Sequence, residues 1–430
     1  MTWSRPTRRA TTSVAVVGLA VAALVAPMTR SGPWAGAALA QDASEAPAES
    51  TSPAPSSSPT PSPAPQPSAS PGDAAPLGVV EGLSLVEQPP AGWPEPPMET
   101  ARELMALDAT TGQVLAVVNA QERVQVASVI KLLTVLTALD VLDPDQMVTV
   151  GDEVNIDGST AALEPGDTWS VRDLVAGALI RSGNDAAEAL AVAGGGGDRA
   201  AFIQMMNDKA ESLGIVGATI ADPSGLEDVN LLSARDLAIL GDAALAQPLV
   251  AEIANSRSWD LPSTGPVPNR NLLLEMREDA TGLKTGTTDL AGASLVGSVR
   301  ADDHDLVSVI VGARNDNQRY AESVAVFDWI ESALDRHPVD VGAAIRLPGE
   351  WVGEATTLDL WAPEPPQVDT QLAVDGSSVV SEVSLGVGGR LAEYVATAEV
   401  APPDTIGESL AGKVYEAMRQ AHELNTWPSS

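Results

Sequence analysis

The chain is 430 residues long, contains no cysteine, and carries 58 acidic against 24 basic residues for a formal net charge of -34. Without cysteine it has no disulfide framework, thiolate metal site, Cys nucleophile or lipidated N-terminal Cys, and so acidic a chain with no basic stripe makes nucleic acid an unsuitable partner. Its only histidines are His304, His337 and His422, none in a motif, which disfavours a Ser-His-Asp hydrolase and a zinc hydrolase alike.

The N-terminus carries Arg5, Arg8 and Arg9, then an apolar run from Val14 to Met28, then small residues ending Ala38-Leu39-Ala40 before Gln41. This pattern predicts a secretory signal peptide over residues 1–40. The competing reading is an uncleaved membrane anchor, for which the run is short. Residues 41–98 are rich in Pro, Ser and Ala, as in Ser56-Ser57-Ser58-Pro59-Thr60-Pro61. Such a stretch cannot bury enough apolar surface to offset its ordering entropy, so it reads as a disordered, extended spacer.

A folded domain is expected over residues 99–337. Ala101 to Asp108 and Val114 to Asn119 read as strands around a Thr110-Thr111-Gly112 turn. An apolar helical run follows from Val126 to Leu142. Further helices are expected over Val171 to Ile180, Asp185 to Ala193, Arg199 to Leu213 and Ser233 to Ala246. Strand patterns return at Gly282 to Thr287, Ala293 to Arg300 and Asp305 to Arg314, and a helix from Gln318 to Leu334 closes the domain. Strands at both ends with helices between them imply an α+β sandwich whose antiparallel sheet joins the two ends. Residues 338–402, with short strand-like runs between Pro and Gly turns, read as a small β-rich domain. Residues 403–430 read as an amphipathic C-terminal helix and tail, its apolar stripe including Ile406, Leu410, Val414 and Met418.

Within this frame the scarcity of Lys is informative. Lys131, Lys209, Lys284 and Lys413 are the only four. A Lys amine, unlike a guanidinium, loses its proton when buried or placed near positive charge. Lys131 lies three residues after Ser128, a spacing that shares a helix face, so the amine can take the Ser hydroxyl proton and make Ser128 a nucleophile. Ser182-Gly183-Asn184 and Lys284-Thr285-Gly286 follow in order. A Ser-x-x-Lys, Ser-Asp-Asn, Lys-Thr-Gly series is the signature of serine β-lactamases and penicillin-binding proteins, met here with Gly183 in place of the middle Asp. The structural alternatives are that Ser128 merely caps a helix and that Asn184 caps the helix beginning at Asp185.

With these motifs in place, the chain resembles the D-alanyl-D-alanine carboxypeptidases, the low-molecular-mass serine penicillin-binding proteins. The likeness runs from about Ala101 to Leu334 and includes Gly158-Ser159-Thr160, Ser182-Gly183-Asn184-Asp185-Ala186-Ala187, Asp222-Pro223-Ser224-Gly225-Leu226, Asn269-Arg270-Asn271 and Gly282-Leu283-Lys284-Thr285-Gly286-Thr287-Thr288. It implies the penicillin-binding transpeptidase-like fold and acyl transfer on peptidoglycan stem peptides ending in D-Ala-D-Ala, with inhibition by β-lactams and no cofactor. Ser128, Lys131 and Ser182 would be catalytic, with burial beside Leu132 and the field of Lys284 depressing the pKa of Lys131. Asn184, Lys284, Thr285, Gly286, Thr287, Arg270 and Arg319 would bind substrate. Gly286 would let the substrate backbone lie against its strand, and the N–H groups of Ser128 and Thr287 would form the oxyanion hole. An exported, extracytoplasmic protein is implied, with a weak membrane contact through the C-terminal helix. A D,D-endopeptidase, a β-lactamase, for which Glu227 and Asn230 stand one residue short of the usual Glu-x-x-x-Asn pattern, and a non-catalytic envelope scaffold stand as alternatives.

Overall fold

The computed structural model describes residues 83–85, 87–340 and, with short gaps, 345–399. The expected signal peptide, most of the expected spacer and the C-terminal helix lie outside the described residues.

A five-stranded antiparallel sheet forms the centre. Its order is Ala280–Thr288, Gly292–Ala301, His304–Ala313, Glu103–Asp108, Gln113–Val118. The strands are apolar at consecutive positions because both faces are covered. Met105, Leu107, Val296, Val307, Val309 and Val311 face one core, while Leu104, Ala106, Leu295, Leu306 and Ile310 face another. The two-residue period of a strand produces that division. The first core is covered by helices α1 (Lys131–Val141), α2 (Val171–Ile180), α3 (Asn184–Gly194), α4 (Arg199–Ser212), α5 (Ala234–Ala246) and α6 (Pro248–Asn255). After the short α7 (Leu273–Met276), α8 (Asp316–Ala333) covers the second core with Tyr320, Val326, Phe327 and Ile330. The sandwich is thus α+β, as its pattern predicts.

Local chemistry sets the helix starts. Ser170 accepts a hydrogen bond from the Asp173 amide at 3.1 Å, and Asp198 accepts from Ala200 at 2.9 Å. Ser233 and Asp236 form a reciprocal capping box. Helix α6 was not expected as a separate element. Gln247 caps it, accepting from the Leu249 amide at 2.8 Å, and Pro248 sits at its first position, where no amide donor is needed.

A second set of strands follows α8. Asp335–Asp340 pairs with Thr357–Ala362, and a four-stranded sheet runs Leu83–Leu85, Arg390–Glu399, Ser378–Gly386, Gln367–Asp375. The composition assigns residues 41–98 to a disordered spacer, yet Leu83–Leu85 pairs with Ala392, Glu393 and Tyr394, and Trp93 is buried with its indole N–H 3.4 Å from the Val387 carbonyl. Pairing with strands some three hundred residues away is invisible to local composition. The β-rich part is seated on the central sheet through Trp361, whose backbone exchanges two hydrogen bonds with the Gln113 amide group at 2.7 and 2.8 Å. Its indole donates to Asp108, which also pairs with His304 at 2.6 Å.

Candidate active site

Ser128 does not lie inside the α-helix expected over Val126 to Leu142. It sits in a 3-10 turn, Ala127–Ile130, and Lys131 opens α1. The tighter turn eclipses positions three apart, so the Ser128 hydroxyl and the Lys131 amine meet at 2.9 Å. Ser128 does not cap a helix, since Val126 occupies the cap position and no side-chain cap bond is made. Ala127, just before it, holds φ +49°, a left-handed conformation that turns the chain sharply into the helix.

The Lys131 amine is fully buried and touches three oxygens: Ser128 Oγ, Asn184 Oδ1 at 2.8 Å, and the Ser224 carbonyl. The last two only accept. A neutral amine has two N–H donors and one lone pair, so satisfying Asn184 and Ser224 leaves the lone pair for the one neighbour that can donate, the Ser128 hydroxyl. The Ser224 partner is a backbone group, and sequence reasoning marked its Asp222-Pro223-Ser224-Gly225-Leu226 stretch only as family-like, without a role.

Asn184 is not a cap either. The cap residue of α3 is Gly183, and the Asn184 amide spans the site, its Nδ2 donating to the Asp157 carbonyl at 2.7 Å. Asp185 instead fixes the facing loop, accepting from the Thr160 hydroxyl at 2.6 Å and the Ala161 and Leu163 amides at 2.9 and 3.1 Å. That close approach explains Gly183 in the middle motif: a Cβ there would lie 2.5 Å from Asp185 Oδ1 and 2.9 Å from the Ala161 amide nitrogen. Ser182, at φ +58°, turns its hydroxyl to the Lys284 amine at 2.9 Å.

Lys284, equally buried, also donates to the Thr285 carbonyl at 2.8 Å. Its strand runs along the 3-10 turn that holds Ser128. A Cβ on Gly286 would lie 2.9 Å from the Val126 carbonyl oxygen, 2.9 Å from the Val129 nitrogen and 3.0 Å from the Ser128 nitrogen. The missing side chain is therefore required by the protein's own backbone, whereas the expectation assigned it to the substrate. Arg319 is buried and clamps the end of this strand, donating to the Gly286 carbonyl at 3.2 Å and the Thr287 hydroxyl at 2.7 Å while pairing with Asp316 at 3.2 Å. Arg270 is exposed, its guanidinium donating to Ser159 Oγ at 2.6 Å.

Burial pushes the Lys131 amine down to about 7, aided by Arg270 and opposed by Asp222, Asp185 and Glu188. Lys284 falls well below its ordinary value, through burial first and then the charges of Lys131, Arg319 and Arg270. Of the two causes expected to depress Lys131, burial and the field of Lys284, burial is the larger. Of two adjacent buried amines, the one with no carboxylate beside it gives up its charge more readily, and that is Lys284. Asn230, the residue a deacylating Glu227 would need beside a water, is spent on its own loop. Its Oδ1 accepts from the Ala221 and Asp222 amides at 2.9 and 3.1 Å, and its Nδ2 donates to the Asp222 carbonyl at 2.8 Å.

Known proteins are similar to this chain. Residues 92–315, more than half of the chain, match the family described as D-alanyl-D-alanine carboxypeptidase. The D-alanyl-D-alanine carboxypeptidase DacC of Escherichia coli is 35% identical over 288 residues, covering 63% of this chain and 71% of that protein. Penicillin-binding protein 6B from Escherichia coli superposes with a TM-score of 0.61 at 30% identity, over 72% of this chain and 98% of that one. A D-alanyl-D-alanine carboxypeptidase from Mycobacterium tuberculosis gives a TM-score of 0.54 at 31% identity, over 57% and 96%. The motif series, the fold that brings it together and these likenesses agree: the chain belongs to the D-alanyl-D-alanine carboxypeptidase family.

Proposed function

We propose that the chain is a serine-type carboxypeptidase that removes the terminal D-alanine of peptidoglycan stem peptides through an acyl-enzyme on Ser128. The observation that carries this is the buried Lys131 amine, 2.9 Å from the Ser128 hydroxyl and tethered by two acceptors that leave its lone pair for that proton. Lys131 removes the Ser128 proton, and Oγ attacks the carbonyl carbon of the penultimate D-Ala. The oxyanion is held by the N–H groups of Ser128 and Thr287. As the tetrahedral species collapses, the peptide C–N bond breaks and the departing amine is protonated through Ser182, itself bonded to Lys284. Water then hydrolyses the ester and frees Ser128.

The terminal carboxylate sits against Lys284 and Thr285, with Arg270 at the open side. A bound carboxylate supplies the negative charge that the surroundings of Lys284 lack, so its arrival favours the protonated amine. Asn184 orients the substrate amide as well as Lys131, and Arg319 keeps Gly286 and Thr287 in register. β-Lactams present a strained amide in place of the dipeptide and acylate the same serine. The signal-like N-terminus and the peptidoglycan substrate support a location outside the cytoplasm.

The test is incubation of the purified chain with a pentapeptide precursor, followed by mass spectrometry for loss of one alanine. Ser128→Ala should abolish that loss and covalent labelling by a fluorescent penicillin. Labelling of the variant at the wild-type level would remove Ser128 as nucleophile, and sustained nitrocefin turnover by the wild type would make the chain a β-lactamase.

A further inference from the structure

Beneath the catalytic pair lies an ion cluster that the mechanism above does not use. Arg199, on α4, grips Glu188 of α3 with two bonds, Nε to Oε2 at 2.6 Å and Nη2 to Oε1 at 2.9 Å. The same Nη2 reaches Asp222 Oδ1 at 3.3 Å. Glu188 and Asp222 are both buried, whereas Arg199 is partly open to solvent. Asp222 in turn organises the loop that carries the acceptor of Lys131. Its carboxylate accepts from the Ser224 amide at 3.2 Å, the Ser224 hydroxyl at 3.0 Å and the Glu227 amide at 3.3 Å. The carbonyl of that same Ser224 receives the Lys131 amine.

We propose that Arg199 is a positioning residue for the Lys131 base, joining Glu188 to Asp222, offsetting one of their two negative charges, and holding the Ser224 carbonyl against the amine. The inference rests on the reading of Lys131 as the base. The charged groups around Lys131 are Asp185 and Glu188 from α3, Asp222 from the loop after α4, Arg270 from the segment before α7, and Lys284 from the neighbouring strand. Asp185 is engaged by the Thr160 hydroxyl and three backbone amides. Of the three carboxylates that favour a charged Lys131, Glu188 and Asp222 are the two that a cation offsets, and that cation is Arg199. Removing it leaves two buried negative charges facing the amine. They stabilise its protonated form, which cannot accept the Ser128 proton.

A loss of packing alone would slow the enzyme equally at every pH. The loss of this offsetting charge slows it on the acid side. The test is the rate of acylation by a fluorescent penicillin against pH, using the full chain. Arg199→Gln should move the acid-side midpoint upward by about half a unit to one unit, a roughly three- to tenfold loss below the midpoint, with the alkaline plateau within about twofold of wild type. Arg199→Lys should stay near wild type, and Glu188→Gln added to Arg199→Gln should bring the midpoint back. Glu188→Gln alone, which keeps Arg199 on Asp222, should lower the midpoint, and it serves if Arg199→Gln fails to fold. An unmoved midpoint in Arg199→Gln, or in Glu188→Gln where the first does not fold, overturns the proposal. So does a double variant that remains shifted. Failure of the underlying reading shows separately: Lys131→Arg, whose guanidinium stays protonated, would then acylate at more than about a tenth of the wild-type rate.

Discussion

Substituting Gly286→Ala asks whether the third motif's glycine serves the substrate or the nucleophile. The new Cβ would stand 2.9 Å from the Val126 carbonyl oxygen and the Val129 nitrogen, against 3.4 Å for the near edge of ordinary contact. The shortfall is therefore about 0.5 Å against backbone atoms on the far side, and no rotamer change relieves it. The strand and the 3-10 turn must part by that amount. Overpacking of this kind destabilises by about 1–3 kcal/mol, enough to lower the unfolding temperature by at least a few degrees in a domain of this size. The same displacement moves Ser128 relative to Lys131 and to the oxyanion donors. A misplacement of ~1 Å loses about a hundredfold in rate, so half that distance should slow acylation by roughly tenfold or more. The assay is the time course of labelling by a small fluorescent penicillin, alongside thermal unfolding. If the glycine serves only substrate backbone, stability and labelling by the small inhibitor will match wild type and only peptide hydrolysis will suffer. That outcome would refute the packing argument.

The acylation rate should rise with pH through about 7, where the Lys131 amine loses its proton, and fall about tenfold for each unit below that midpoint. A rate flat between pH 5 and pH 8 would show that the neutral amine is not the acting form. Lys284→Ala should slow acylation by carboxylate-bearing ligands about tenfold or more, reflecting a charge-assisted hydrogen bond of about 1.5–3 kcal/mol, and should slow their amides less. Equal treatment of the acid and the amide would remove the carboxylate from Lys284.

The division between sequence and tertiary structure follows from what each interaction depends on. Spacing carried the chemistry: Ser128 and Lys131 three apart, then Ser182 with Asn184, then Lys284-Thr285-Gly286, all brought to one site in that order. Caps and apolar periods carried most of the fold, because Ser170, Asp198 and the Ser233–Asp236 box act within a single turn of chain. Three features depended on groups distant in the chain. The acceptor that tethers Lys131 is the Ser224 carbonyl, and since every residue has a carbonyl, nothing in the sequence marks which one will face the amine. The need for glycine at position 286 arises from the backbone of Val126 to Val129, over a hundred and fifty residues earlier. The depressed pKa of Lys131 comes mainly from burial by the assembled core rather than from its neighbour Lys284, and desolvation is a sum over every atom that excludes water. Local chemistry chose which groups the proposed reaction uses; only the closed fold, by removing water and setting backbone against backbone, decided how they are held and in which state of charge.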